Sequence, residues 1–234
     1  MNAMLNRQER AGIRVNMWLS AAIFVLGVSS LAVSALSKPQ QNFFFEFRYM
    51  TMNGTVFTTL IALIIVSVYA VQLQTGRLIV VKQLYYFRLS AAVTESIIAI
   101  VILLSFFPFV PDNPSILSFD SFNMHVMLPL LTVVSFLMSE SPAKTMHPLM
   151  RLNCAWFITL YAVVVITLIM TGLIPQEKIP YSFLDFRTRS LWYIVPFGMF
   201  IYSFSYVLSV FLTEGNKRVY DFRCNKGRRP VHSA

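Results

Sequence analysis

Two short stretches hold side chains whose types and placement permit chemistry. FDSFNMHVMLPLL, residues 119–131, sets His125 at the head of a long apolar run, whereas His147 and His232 fall in a polar turn and in the tail. FRYMTMNGTVFTT, residues 47–59, sets Thr51 at the head of another run. A threonine hydroxyl becomes a nucleophile when a base takes its proton, and a neutral imidazole is the usual base. At a bilayer edge such a pair would meet lipid esters. The chemistry would be acyl transfer to Thr51 Oγ, proton relay through His125, and release of the acid by water from the outer side. An ionisable group in a membrane segment is costly to place and is read first as functional. Each residue also has a quieter use: threonines in membrane helices bond to the preceding turn, and an interfacial histidine contacts headgroups.

Other polar residues lie close by in sequence. Asn123, Asn53 and Thr55 are candidate donors to an oxyanion near Thr51, although Asn53 also suits helix packing. Asp120 or Asp185 is a candidate to orient His125, as the third member of a triad orients its base; each also suits a solvated loop. Arg48, with Tyr181, stands at the mouth of the site, where a guanidinium can hold a lipid carboxylate or phosphate or snorkel to headgroups. Glu95 is the one acid well inside an apolar run. It reads either as a protonated structural acid, with Tyr69, Gln72 or Tyr206 as partners, or as a relay for a proton or substrate.

These residues need a membrane bundle to bring them together. Charged residues make up 12% of the chain, half the share of about 25% usual in soluble domains, and the apolar residues come in bilayer-length blocks. The sequence therefore predicts an all-α polytopic membrane protein, one domain over 1–234. Its six transmembrane helices are expected at about 15–36, 49–74, 86–107, 123–138, 152–173 and 191–212, followed by a basic tail over 213–234. The first run is longer than a signal-peptide core, so it reads as an uncleaved helix. Pro129 lies inside helix four and should kink it. Lys38, Arg48, Lys178, Arg187 and Arg189 fall on one side of this arrangement. The other 14 of the 19 basic residues fall on the opposite side, Arg88 among them at the head of helix three. The positive-inside rule then puts both termini in the cytoplasm. Helices two and four both enter from the outer side, which sets Thr51 and His125 at one depth.

The net charge is +9, and six of the 19 basic residues lie in the tail, Lys217, Arg218, Arg223, Lys226, Arg228 and Arg229, with the rest scattered at segment ends. That pattern points to anionic lipid headgroups rather than nucleic acid. Cys154 and Cys224 are both placed on the reducing side, which argues against a disulfide, and neither has metal-ligand neighbours, so no metal or cofactor is implied. There is no G-x-S-x-G elbow and no P-loop.

FRYMT, NMHVMLP and IPYSFLD together resemble the androgen-induced-gene-like family of six-span membrane proteins and its bacterial relatives. The likeness extends over about 47–211. It implies that Thr51 is the nucleophile, that His125 is the base, and that the substrate is a lipid ester such as a fatty acid ester of a hydroxy fatty acid. The chain departs from the family at Tyr181-Ser182-Phe183, where proline would follow the tyrosine, and it has Phe122, Val126 and Met127 where animal members carry a second histidine and paired threonines. Two rival readings remain open. One is a transporter centred on Glu95, with Pro129 and Pro196 giving mobile half-helices, against which stands the lack of an internal repeat. The other is a bundle that binds or senses lipid without chemistry.

Overall fold

The computed structural model describes residues 7–37, 43–77, 79, 82–105, 118–139, 147–181 and 191–226. The regular elements among them are all helices. α1 spans Arg7–Ser37, α2 Met50–Thr75 and α3 Lys82–Ser105. α4 covers Phe119–Leu137 and α5 Pro148–Met170, each with a short irregular turn inside it, and α6 runs over Leu191–Lys226. Helices α1 to α5 are long and apolar enough to cross a membrane, which requires about 20 residues. The build is that of an all-helical, multi-pass membrane protein.

The distribution of side chains follows from that solvent. Trp18, Leu36, Leu104, Leu130, Leu160 and Phe211 point outward, while Asn16, Ser20, Thr55, Thr58, Arg88, Glu95 and Ser135 are buried. Large exposed apolar surfaces are rare on soluble monomers. In lipid, apolar residues may face out at no cost, and polar side chains go inside to find one another. α2 packs between α1 and α3, and α4 packs on α1, α3 and α6. Small residues permit the closest crossings. A Cβ on Gly27 would stand 2.0 Å from Thr59 Oγ1, and one on Gly54 would stand 2.5 Å from Ile98 Cδ1.

Several boundaries differ from the sequence reading: α1 begins at Arg7 rather than near 15, α5 at Pro148 rather than near 152, and three further differences bear on the packing. α3 begins at Lys82, so Arg88 lies inside the helix and is buried rather than standing at a cytoplasmic helix head. α4 begins at Phe119, so His125 sits in its second turn. The helix expected to stop near 212 continues to Lys226. Residues 213–226 contain no proline, and the extension has its own anchor. Asn216 Nδ2 donates to the carbonyls of Phe136, Leu137 and Ser139, and Arg223 Nη2 donates to those of Met138 and Ser139. These carbonyls close the C-terminal end of α4, where a helix leaves its last acceptors without intrahelical donors.

Candidate active site

Thr51 occupies the first turn of α2, and its Oγ1 lies 3.2 Å from His125 Nε2. The two come from helices 74 residues apart in sequence. His125 is positioned by a break in α4. Pro129 has no N–H, so the carbonyl four residues earlier, that of His125, loses its α-helical donor. The chain takes up this defect as a π turn over Asn123–Met127, in which the Leu128 N–H reaches back five residues to the Asn123 carbonyl. Such one-turn bulges are frequent at functional sites because they re-aim a single side chain.

The other ring nitrogen settles the direction of the proton. His125 Nδ1 lies 2.8 Å from the Ser121 carbonyl oxygen, which can only accept. Nδ1 therefore carries the hydrogen in the neutral ring and Nε2 is left with its lone pair facing Thr51 Oγ1. Ser121 Oγ also stands 3.1 Å from Nδ1. The orienting acceptor is thus a backbone carbonyl one turn earlier on the same helix.

A tyrosine approaches Thr51 as well. Tyr181 stands near the Thr51 side chain and the Met50 backbone, and Tyr161 stands near the Met50 backbone as well. Its ring meets Tyr49 edge-on at 6.3 Å. Burial holds the Tyr181 phenol above its ordinary titration range, so at neutral pH it keeps its proton. Tyr161 on α5 donates to the Arg48 carbonyl just before α2. Beside Tyr161, Arg48 and Asn53 an apolar groove of about 360 Å³ runs along α5 past Leu160, Val164 and Leu168.

The remaining candidates fall in different places. Asn53 Nδ2 donates to the Phe47 and Tyr49 carbonyls and so ties down the approach to α2. Arg48 Nη2 donates to Tyr49 Oη, with its guanidinium 4.7 Å above the Tyr49 ring. Asp120 accepts from Ser118 Oγ at 2.7 Å. Thr55 and Asn123 are buried, and Thr55 Oγ1 and Asn123 Nδ2 find no partner among the described residues. Asp185 lies outside the described residues.

Glu95 is wholly buried on α3. Its Oε1 accepts from Thr58 Oγ1 at 2.8 Å, and its Oε2 finds no partner among the described residues. Neither Tyr69 nor Gln72 serves it: Gln72 donates to the Ile79 carbonyl, and Tyr69 belongs to a second cluster. In that cluster Arg88 donates to Tyr69 Oη at 2.7 Å, to Asn16 Oδ1 at 3.1 Å and to the Ser135 carbonyl at 2.7 Å, while Ser135 Oγ donates to Asn16 Oδ1 at 2.8 Å. A cavity of about 20 Å³, room for roughly one water, separates Arg88 from Thr58 and Thr132. Sequence reasoning missed Asn16, Ser121, Ser135 and the buried role of Arg88. The available signals were an asparagine interrupting the first apolar run, and Arg88 standing seven residues, two helical turns, before Glu95.

The chain was compared with family models, curated proteins and solved structures, and none matches.

Proposed function

We propose that the chain is an intramembrane lipid-ester hydrolase that forms an acyl-threonine intermediate. The observation that carries this reading is the 3.2 Å contact of Thr51 Oγ1 with a His125 Nε2 whose lone pair is fixed by the Nδ1 bond to the Ser121 carbonyl. A nucleophile within reach of a base that is itself oriented by a third group is the general signature of covalent catalysis. The Thr51 proton moves to Nε2 as Oγ bonds the acyl carbon. The ester C–O bond then breaks, and the departing alkoxide takes the proton from Nε2. Water repeats the sequence in reverse order, with His125 taking its proton and returning it to Thr51 Oγ.

The surroundings support the substrate class in this reading. The helices expose leucine, valine and phenylalanine to lipid, and the groove along α5 is apolar with Arg48 and Tyr161 at one end. A fatty acyl ester fits that chemistry, and the resemblance to the androgen-induced-gene-like family favours esters of hydroxy fatty acids. The same reading takes α6 as a sixth span and both termini as cytoplasmic, supported by the distribution of lysine and arginine.

A serine- and threonine-directed fluorophosphonate probe, followed by peptide mapping, tests this. Labelling is expected at Thr51 and should vanish in His125→Ala with the variant still folded. A folded wild type that takes no label sinks the proposal. A second reading, transport through a polar centre, is favoured by one observation: the fully buried Glu95, whose Oε2 finds no partner among the described residues. Its mark would be flux in proteoliposomes that Glu95→Gln abolishes.

A further inference from the structure

The groove beside Arg48 lies on the far side of α2 from Thr51. Asn53, which lines it, and Phe57 stand four residues apart on one face of α2, and Phe57 stacks on Phe157 of α5 at 4.3 Å. Thr51 faces His125 on α4 instead. At about 360 Å³ the groove has the size of a small-molecule site. Leu160, Val164 and Leu173 line it and are themselves exposed, so it opens sideways to lipid. Its polar side chains gather around residues 47–49. Asn53 Nδ2 gives its two hydrogens to the Phe47 and Tyr49 carbonyls, and the Tyr161 hydroxyl gives its one to the Arg48 carbonyl. The side-chain hydrogens that can meet an anion there are those of the Arg48 guanidinium, a planar fork of donors that matches a carboxylate. Its plane is set by the Tyr49 ring, 4.7 Å below it, and by the Nη2 bond to Tyr49 Oη. Arg48 is the one charged residue among the described residues that line the groove.

We propose that this groove binds a free fatty acid drawn from the surrounding lipid, with the carboxylate on the Arg48 guanidinium and the chain laid along α5 past Val164 and Leu168. Ligand sites of this size are mostly apolar, with a few polar groups that fix orientation, and the groove has that make-up. One guanidinium matches the single charge of a carboxylate, whereas a phosphomonoester carries about two. A zwitterionic phospholipid offers the cation no net charge. The sideways opening admits the acid from lipid without passing Thr51. Binding is stabilised at both ends of the ligand: the carboxylate gains charge-assisted bonds in surroundings of low dielectric, and the chain fills the apolar space between α2 and α5. The inference goes beyond the hydrolase reading and requires no reaction at Thr51.

The test uses the full-length protein in phosphatidylcholine nanodiscs, with a photoactivatable palmitate that carries a diazirine near mid-chain. Cross-linked peptides are expected from α5 between Phe157 and Leu168. Palmitate should compete for the label, and methyl palmitate, which lacks the charge, should need about tenfold more or beyond. Arg48→Gln should weaken binding by about tenfold or more and erase that preference. Val164→Trp fills the groove from its exposed wall and leaves Arg48 in place; it should abolish labelling while the unfolding temperature stays that of the wild type. Thr51→Ala should label as the wild type does, so the result is independent of whether the chain cleaves esters. Equal competition by methyl palmitate, or unchanged labelling in folded Arg48→Gln and Val164→Trp, means boundary lipid only and overturns the proposal. Stronger competition by lysophosphatidate than by palmitate overturns it in favour of a phosphate headgroup. Loss of labelling in a folded Thr51→Ala overturns it by joining the groove to the Thr51 site.

Discussion

The bundle buries two polar clusters that differ in how they are connected. Eighteen residues of α2, about 27 Å of helix, separate Thr51 from Tyr69. Around Arg88 the partners form a knot: Asn16, Tyr69 and Ser135 each bond the guanidinium, and Asn16 also bonds the other two. Around Thr51 the partners form a line that runs from Thr51 Oγ1 through the His125 ring and ends on the Ser121 carbonyl. A knot holds helices together because each member has more than one reason to stay. A line of this kind can let a proton pass between Thr51 Oγ1 and Nε2 while Nδ1 keeps its own, and then return to its starting state. Buried polarity alone therefore does not mark a functional site; the pattern of donors and acceptors does.

Paired losses break the comparison most sharply. His125→Gln should lower Thr51-dependent ester hydrolysis by about 10⁴-fold or more while leaving the unfolding temperature near that of the wild type. In the wild type, kcat should fall about tenfold per pH unit on the acid side of the imidazole titration and level off on the alkaline side. The sign follows from Nε2: once protonated, it has no lone pair for the Thr51 hydrogen. A pH–rate profile that keeps its acid limb in His125→Gln would remove His125 as the base.

Arg88→Met should do the opposite. It strands acceptors on α1, α2 and α4 and is expected to destabilise the fold by about 3 kcal/mol, read from chemical denaturation in mixed micelles. The folded fraction should hydrolyse ester at the wild-type rate. A large loss of kcat without a loss of stability would make the Arg88 cluster part of the site.

The smallest expected effect sharpens the line itself. Ser121→Ala removes Oγ but leaves the carbonyl that fixes Nδ1 at 2.8 Å. Hydrolysis should change by no more than about threefold, since the hydroxyl adds a longer and secondary contact. A loss near 100-fold would shift the orienting role to the serine hydroxyl.

Much of this arrangement is legible in the sequence, for definite reasons. Apolar blocks of bilayer length define α1 to α5, and the alternation of entry sides puts Thr51 and His125 at one depth. Depth is set by counting spans and needs no packing. Rotation about each helix axis is set by packing, and there the sequence is less informative. The π turn that aims His125 arises from Pro129 and from the neighbours of α4, and only the proline is visible in a one-dimensional reading. The Arg88 cluster was hidden for a related reason. An arginine near a segment end looks like an interfacial anchor until partners from three other helices are seen around it. The extension of α6 looks like a tail in the sequence because its basic residues stand out as charge, whereas Asn216 and Arg223 act as hydrogen-bond donors to α4.

That clasp of α6 on the end of α4 has a bearing on timing. Asn216 is 80 residues later in the chain than Phe136, whose carbonyl it holds. At roughly 5–20 residues per second of synthesis, the α4 terminus waits on the order of 4 to 16 seconds before its cap exists. The helix that carries His125 is thus fastened at its end by a stretch of chain made well after it. Until α6 is made, the backbone carbonyls at the end of α4 lack the side-chain donors that hold them in the folded chain.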